Sequence, residues 1–141
     1  MNQTIVFWIY DKDEYEAEAE SAEDVVVPFW DRALDCDIDP QESFPMGVGN
    51  LLLDTLREAI SIVHSDVPGL EEDLVELGES FSDCGFRISQ EVYQKADKLM
   101  RAKIDEIEDV VEKIDVEVDL RDFNNAFDSV NWDTHVVFAN T

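Results

Sequence analysis

Glu16, Glu18 and Glu20 alternate with Tyr15, Ala17 and Ala19, and Asp11, Asp13, Glu14 and Glu23 crowd the same stretch. Carboxylates in such numbers can hold a divalent cation, work as a paired acid and base, or present fixed negative charge to a basic partner. The alternation predicts a strand over 15–20. On it, Glu16, Glu18 and Glu20 stand about 6.7 Å apart along one face, twice the rise per residue. Like charges in a row repel, and charging an edge strand against aggregation is the plainest use for them. A second group, Glu71, Glu72, Asp73 and Glu76, follows Pro68. It falls at the start of a short predicted helix, where the helix dipole favours negative charge.

The first two chemistries find little support. Asp35, Asp37 and Asp39 are spaced like the opening ligands of a calcium loop. Position six would be Pro40 instead of glycine and position twelve Met46 instead of glutamate, so an acidic turn is expected. Gly47-Val48-Gly49-Asn50 lacks the third glycine and the basic residue of phosphate loops. His64 and His135 are the only histidines, and nothing in their context pairs either with Cys36 or Cys84. Carboxylate-only hydrolysis needs an acid and a base facing each other in a cleft, and no two of the 35 acids are singled out. No catalytic residue, metal or cofactor is therefore expected.

The third chemistry has the whole composition behind it. The chain carries 35 Asp and Glu against 10 Lys and Arg, a formal net charge of -25. Residues 1–78 hold 20 acids and 3 bases, and residues 79–141 hold 15 acids and 7 bases, so the net charges are -17 and -8. Between Arg57 and Arg87 there is no Lys or Arg. Such self-repulsion lowers the stability of a compact state. It also excludes direct binding to DNA or RNA, which needs a basic surface, and adhesion to anionic membranes.

The elements that must carry these acids form one globular domain over 1–141, with 45% hydrophobic and 10% aromatic residues to build a core. Thr4–Tyr10 is β-branched and aromatic and reads as a strand. With 15–20 it makes an N-terminal β-hairpin. Phe7 and Trp8 point to opposite faces, so that strand is expected to be sandwiched. A helix is predicted from Ser21 to about Leu34, kinked at Pro28, then a loop from Asp35 to Gly49. Asn50 can cap a helix to about His64, with Leu52, Leu56, Ala59 and Val63 inward. Another short helix runs from Pro68 to Gly78. Ser89 caps the longest helix, whose stripe continues through Met100, Ile104, Ile107, Val111 and Ile114 and offers a surface for homodimerisation through 93–118. Val116, Val118 and Leu120 alternate like a short strand, Phe123 and Phe127 fit a short helix, and 134–139 reads as a last strand. The fold class is α+β: a small antiparallel sheet, the hairpin plus one or two C-terminal strands, packed with about four to five helices on one face.

The apolar run Ile5–Tyr10 is too short for a signal peptide and lacks a basic start. The two cysteines make no disulfide framework. A cytoplasmic protein with free thiols is expected. The functional expectation is a non-enzymatic inhibitor whose carboxylates imitate nucleic-acid phosphates in the site of a basic partner, a nuclease, restriction enzyme or CRISPR effector. Phage-encoded antirestriction and anti-CRISPR inhibitors are proteins of this type. The expected contact residues are Asp11, Asp13, Glu14, Glu16, Glu18, Glu20 and Glu23, then Glu71, Glu72, Asp73 and Glu76. An immunity protein or antitoxin is the alternative, with the same physics and a cognate toxin as partner. A halophile protein, acidic for solubility, is a third, against which the four lysines Lys95, Lys98, Lys103 and Lys113 count.

Overall fold

The computed structural model describes residues 3–18, 25–28, 42–70 and 84–140. In chain order these form β1 (Gln3–Asp11), α1 (Lys12–Glu18), β2 (Val26–Pro28), β3 (Glu42–Val48), α2 (Asn50–Val63), β4 (Cys84–Arg87), α3 (Gln90–Asp105), α4 (Val110–Asp128) and β5 (His135–Asn140). The strands make one five-stranded sheet in the order β2-β4-β5-β1-β3, and every pairing is antiparallel. The α+β class stands.

β1 lies inside the sheet, with Phe7 opposite Phe44 on one side and Ala139 on the other. Alternation sends its side chains to two cores. Ile5, Phe7 and Ile9 join the main core with α2, α3 and α4, while Tyr10 joins a smaller one with Tyr15, Val136 and Phe138. Trp8 packs against that second cluster. The expected sandwiched strand is thus found, but the expected single helical face is not, because α1 covers the other side.

The hairpin is corrected. Residues 12–18 are helical, and β1 has no free edge for another strand, since β3 and β5 occupy both. Alanine and glutamate are good helix formers, and Asp11 supplies the cap: the Glu14 N–H donates to its Oδ1 at 3.0 Å.

Pro28, expected to kink a helix, and Pro45, expected in a loop, instead mark the two edges of the sheet. Pro28 lies in β2 and Pro45 in β3, and a proline's missing N–H is tolerated on an edge strand. Val26–Pro28 is therefore strand where a helix was expected, and 42–48 is strand where a loop was. In β3, Phe44 and Met46 pack on the core while Ser43 and Pro45 face solvent. Residues 29–41, with the calcium-like aspartates and Phe29-Trp30, lie outside the described residues.

α2 has the expected span and buries Leu52, Leu53, Leu56, Ala59 and Ile60. Gly49, not Asn50, takes its cap position. Thr55 is fully buried; its Oγ1 donates to the Leu51 carbonyl at 2.6 Å and accepts from Lys103 Nζ at 3.0 Å. Lys103 also pairs with Glu58 at 2.9 Å, which ties α3 to α2. In the third predicted helix only its start is described, with Leu70 buried.

α3 begins as expected: Ser89 accepts from the Val92 N–H at 3.2 Å. It stops at Asp105, and the stripe does not continue in one helix. Asp109 accepts from the Glu112 N–H at 2.9 Å and starts α4, the longer helix at 19 residues. The strand expected at 116–120 is also helix. Val116, Leu120, Phe123 and Phe127 recur at four, three and four residues and are all buried. They meet the aromatic cluster under β1: Phe7 lies 5.0 Å from Phe127 edge-on, and Tyr93 and Trp132 stack on Phe127 at 4.7 and 5.8 Å. The Tyr93 hydroxyl donates to Asn124 Oδ1 at 2.7 Å. Burial raises the Tyr93 pKa, reinforced by Asp97 and Asp128.

Candidate partner-binding surface

α1 begins where β1 ends, and three contacts fix it. Asp11 caps it. The Lys12 N–H donates to the Thr134 carbonyl at 2.8 Å, just before β5. Tyr15, only 3% exposed, sets its ring 5.1 Å from Phe138 and 6.2 Å from Tyr10. With Tyr15 turned inward, the helical period turns Asp13, Glu14 and Glu16 outward, and all three are exposed.

Four of the eleven expected contact residues therefore come together with described side chains: Asp11, Asp13, Glu14 and Glu16. They form a convex helical rim, not a straight row along a strand. Asp11 is partly committed to its cap. Glu18 ends α1, and nothing is described of its side chain; Glu20, Glu23, Glu71, Glu72, Asp73 and Glu76 lie outside the described residues. Among the described residues no group of three or more His, Cys, Asp and Glu is placed to hold a metal ion. No described helix is long and apolar enough to cross a membrane.

A second acidic feature escaped the sequence reading. Glu112, Asp115, Asp119 and Asp122 follow one another at three, four and three residues along one flank of α4. Asp119 is half-buried there, and its Oδ2 accepts the Gly49 N–H at 2.9 Å. Its pKa is raised above 3.8, first by burial and then by the charges of Asp122 and Asp115, against the lowering pull of that hydrogen bond. Beside this flank, a cleft of about 360 Å³ runs between α4 and β3, lined by Phe44, Met46, Asp122 and Ala126 among others. Once 109–128 is drawn as one helix the row is visible. A strand over 116–120 instead groups Asp115 and Asp119 with Glu117 and assigns Glu112 and Asp122 to other elements.

His64 ends α2 beside Asp66, Arg87 and Glu91. Burial lowers its pKa below 6.5, outweighing Asp66 and Glu91. It sits at the mouth of an open groove with Ser89 and Gln90, at the start of α3. No described cysteine side chain meets either histidine, since Cys36 and the Cys84 side chain are outside the described residues. No protein-family model matches the chain, and no curated protein and no solved structure matches it.

Proposed function

We propose that this chain is a non-enzymatic acidic inhibitor that occupies the nucleic-acid site of a basic nucleic-acid-handling protein, in the manner of antirestriction and anti-CRISPR proteins. The observation that carries this reading is the outward turn of Asp13, Glu14 and Glu16 on a helix pinned by Tyr15, in the half of the chain whose net charge is -17. Duplex DNA presents one negative charge per ~1.7 Å of axis, and a rigid array of carboxylates suits a groove built for that field. Charge of one sign also speeds association with a basic target. The contact set is Asp11, Asp13, Glu14 and Glu16, extended by Glu18, Glu20, Glu23, Glu71, Glu72, Asp73 and Glu76.

The test is a pull-down with the tagged chain from bacterial lysate, washed at low and then high salt, with the eluted proteins identified by mass spectrometry. Basic nucleic-acid enzymes that elute with salt and are displaced by added DNA or RNA support the reading. Retention of no basic protein overturns it. A second reading, a toxin antidote, draws support from α4, where acid lies beside exposed apolar side chains; such antidotes cover an active site with an apolar anchor inside a charged rim. Displacement by nucleic acid from a general nucleic-acid enzyme favours the mimic, and capture of one cognate toxin favours the antidote.

A further inference from the structure

Among the described residues, the exposed large hydrophobic side chains are Ile62, Val67, Val110, Val111, Ile114 and Val118. Four of these six fall within nine residues of α4. Val111, Ile114 and Val118 are spaced three and four apart, so they line one side of the helix. That side is opposite Val116, Leu120, Phe123 and Phe127, which fill the core. Val111 is 69% exposed and Ile114 53%. Apolar residues scattered singly over a surface need no explanation, but a stripe does. Helix propensity does not explain it either, because β-branched residues are poorer helix formers than the alanine, leucine or glutamate that would serve there.

We propose that this stripe is a docking surface for a basic amphipathic helix of a partner protein. The partner's apolar face would lie on Val111, Ile114 and Val118, as amphipathic helices seat on apolar surfaces through residues three and four apart. Its Lys and Arg side chains would reach Glu112, Asp115 and Asp122 along the flank. Glu117 lies on the opposite flank, beside Arg121, whose Nε is 3.9 Å from Asp122 Oδ1. The charge decides between occupants. A second copy of the chain would set acidic flank against acidic flank, and each copy carries a net charge of -25. An anionic bilayer meets the same repulsion. The partner shares with the target proposed above only the sign of its charge. α1 and α4 lie on opposite faces of the sheet, so the two surfaces can be tested apart.

The probe is a synthetic 18-residue helical peptide of leucine and lysine with one apolar face. Its control has the same composition, scrambled to lose that face. Binding is followed by fluorescence anisotropy and by backbone NMR shifts on the intact chain. The expected result is at least tenfold tighter binding of the amphipathic peptide, with shifts concentrated in 110–122. The double variant Ile114→Ser, Val118→Ser should lose at least tenfold in affinity. Both side chains face solvent, so the fold should persist, as an unchanged thermal midpoint would show. Glu14→Gln with Glu16→Gln should leave peptide binding within twofold. Equal binding of the scrambled peptide, shifts centred on α1, or an unaffected double variant would each overturn the proposal. So would sedimentation showing a dimer that the double variant dissolves, because the occupant would then be a second copy.

Discussion

The Gly49 N–H and the Asp119 carboxylate meet at 2.9 Å across 70 residues of sequence, so α4 supplies the carboxylate that α2 lacks at its own cap residue. The first N–H groups of a helix have no internal partner, and a glycine has no side chain to offer one. Asp119→Ala should therefore cost about 1 kcal/mol, as loss of a cap does elsewhere. Asp119→Asn should behave differently, since its amide oxygen can still accept. The raised pKa of Asp119 means that its charge opposes folding above that pKa, and that this cost vanishes below 3.8. The asparagine variant is thus expected to match or exceed the parent at pH 7 and to lose that advantage in acid. Urea midpoints at pH 7 and at about pH 3, below the unfolded carboxylate pKa, decide it; an asparagine variant as weak as the alanine one would show that the charge itself is needed.

Tyr15 is the one buried side chain described in α1. Emptying a large aromatic site costs about 3 kcal/mol or more, unless the helix simply detaches. Tyr15→Ala should release α1, with fast amide exchange over 12–18 and a smaller loss in global stability. The same variant should weaken capture of the basic target, because Asp13, Glu14 and Glu16 lose their fixed positions. Full protection of those amides in the variant would mean that Asp11 and the Lys12–Thr134 hydrogen bond suffice to hold the helix.

The parts of the fold that were legible are those whose signal is local. Thr4–Tyr10 reads as a strand from its β-branched and aromatic residues, 50–63 as a helix from its stripe, and Ser89 as a cap from the residue type. The misread parts depend on partners distant in sequence. Nothing near Tyr15 reveals that both edges of β1 are already taken by β3 and β5, which is what forbids the hairpin. Pro28 and Pro45 are signs of edge strands only when the strand order is known. Residues 116, 118 and 120 fit a two-residue period and, leaving out 118, a helical one; Phe123 and Phe127 extend the helical one, and burial follows them. At the candidate surface, the excess of acid was plain in the composition. The acidic row on α4 was hidden because the stripe from Met100 to Ile114 crosses a break at Asp109, where a new cap starts a helix with a different inward face.

His64 makes stability depend on pH in a definite direction. Its folded pKa lies below 6.5, so between that value and its folded pKa the unfolded chain binds more protons. Stability must then rise with pH through this window and fall as pH drops. Asp66 and Glu91 favour the charged ring and Arg87 opposes it, but burial outweighs them. The comparison that isolates the ring is with His64→Gln. The parent should lose stability relative to this variant as the pH falls below 6.5. Parallel profiles for the two proteins would remove the buried imidazole from the account.

Salt should act on folding and on binding with opposite signs. Screening shortens the reach of exposed charge to about 8 Å at physiological ionic strength, which relieves self-repulsion among 35 acids. The thermal midpoint should therefore rise as sodium chloride goes from low millimolar to physiological levels, most of the gain coming early. Capture of the basic target should weaken over the same range, because the attraction is screened too. Reversing Asp13, Glu14 and Glu16 to lysine should reproduce the weaker capture at fixed low salt, while in the midpoint the relief of repulsion is offset by the loss of the first-turn acids Asp13 and Glu14 that the helix dipole favours. These side chains are exposed, so no core contact is lost. A chain that folds only in molar salt would instead assign the acid to solvent. A midpoint that rises while capture stays flat would place the binding energy in apolar contact, and α4 rather than α1 would be the surface to change next.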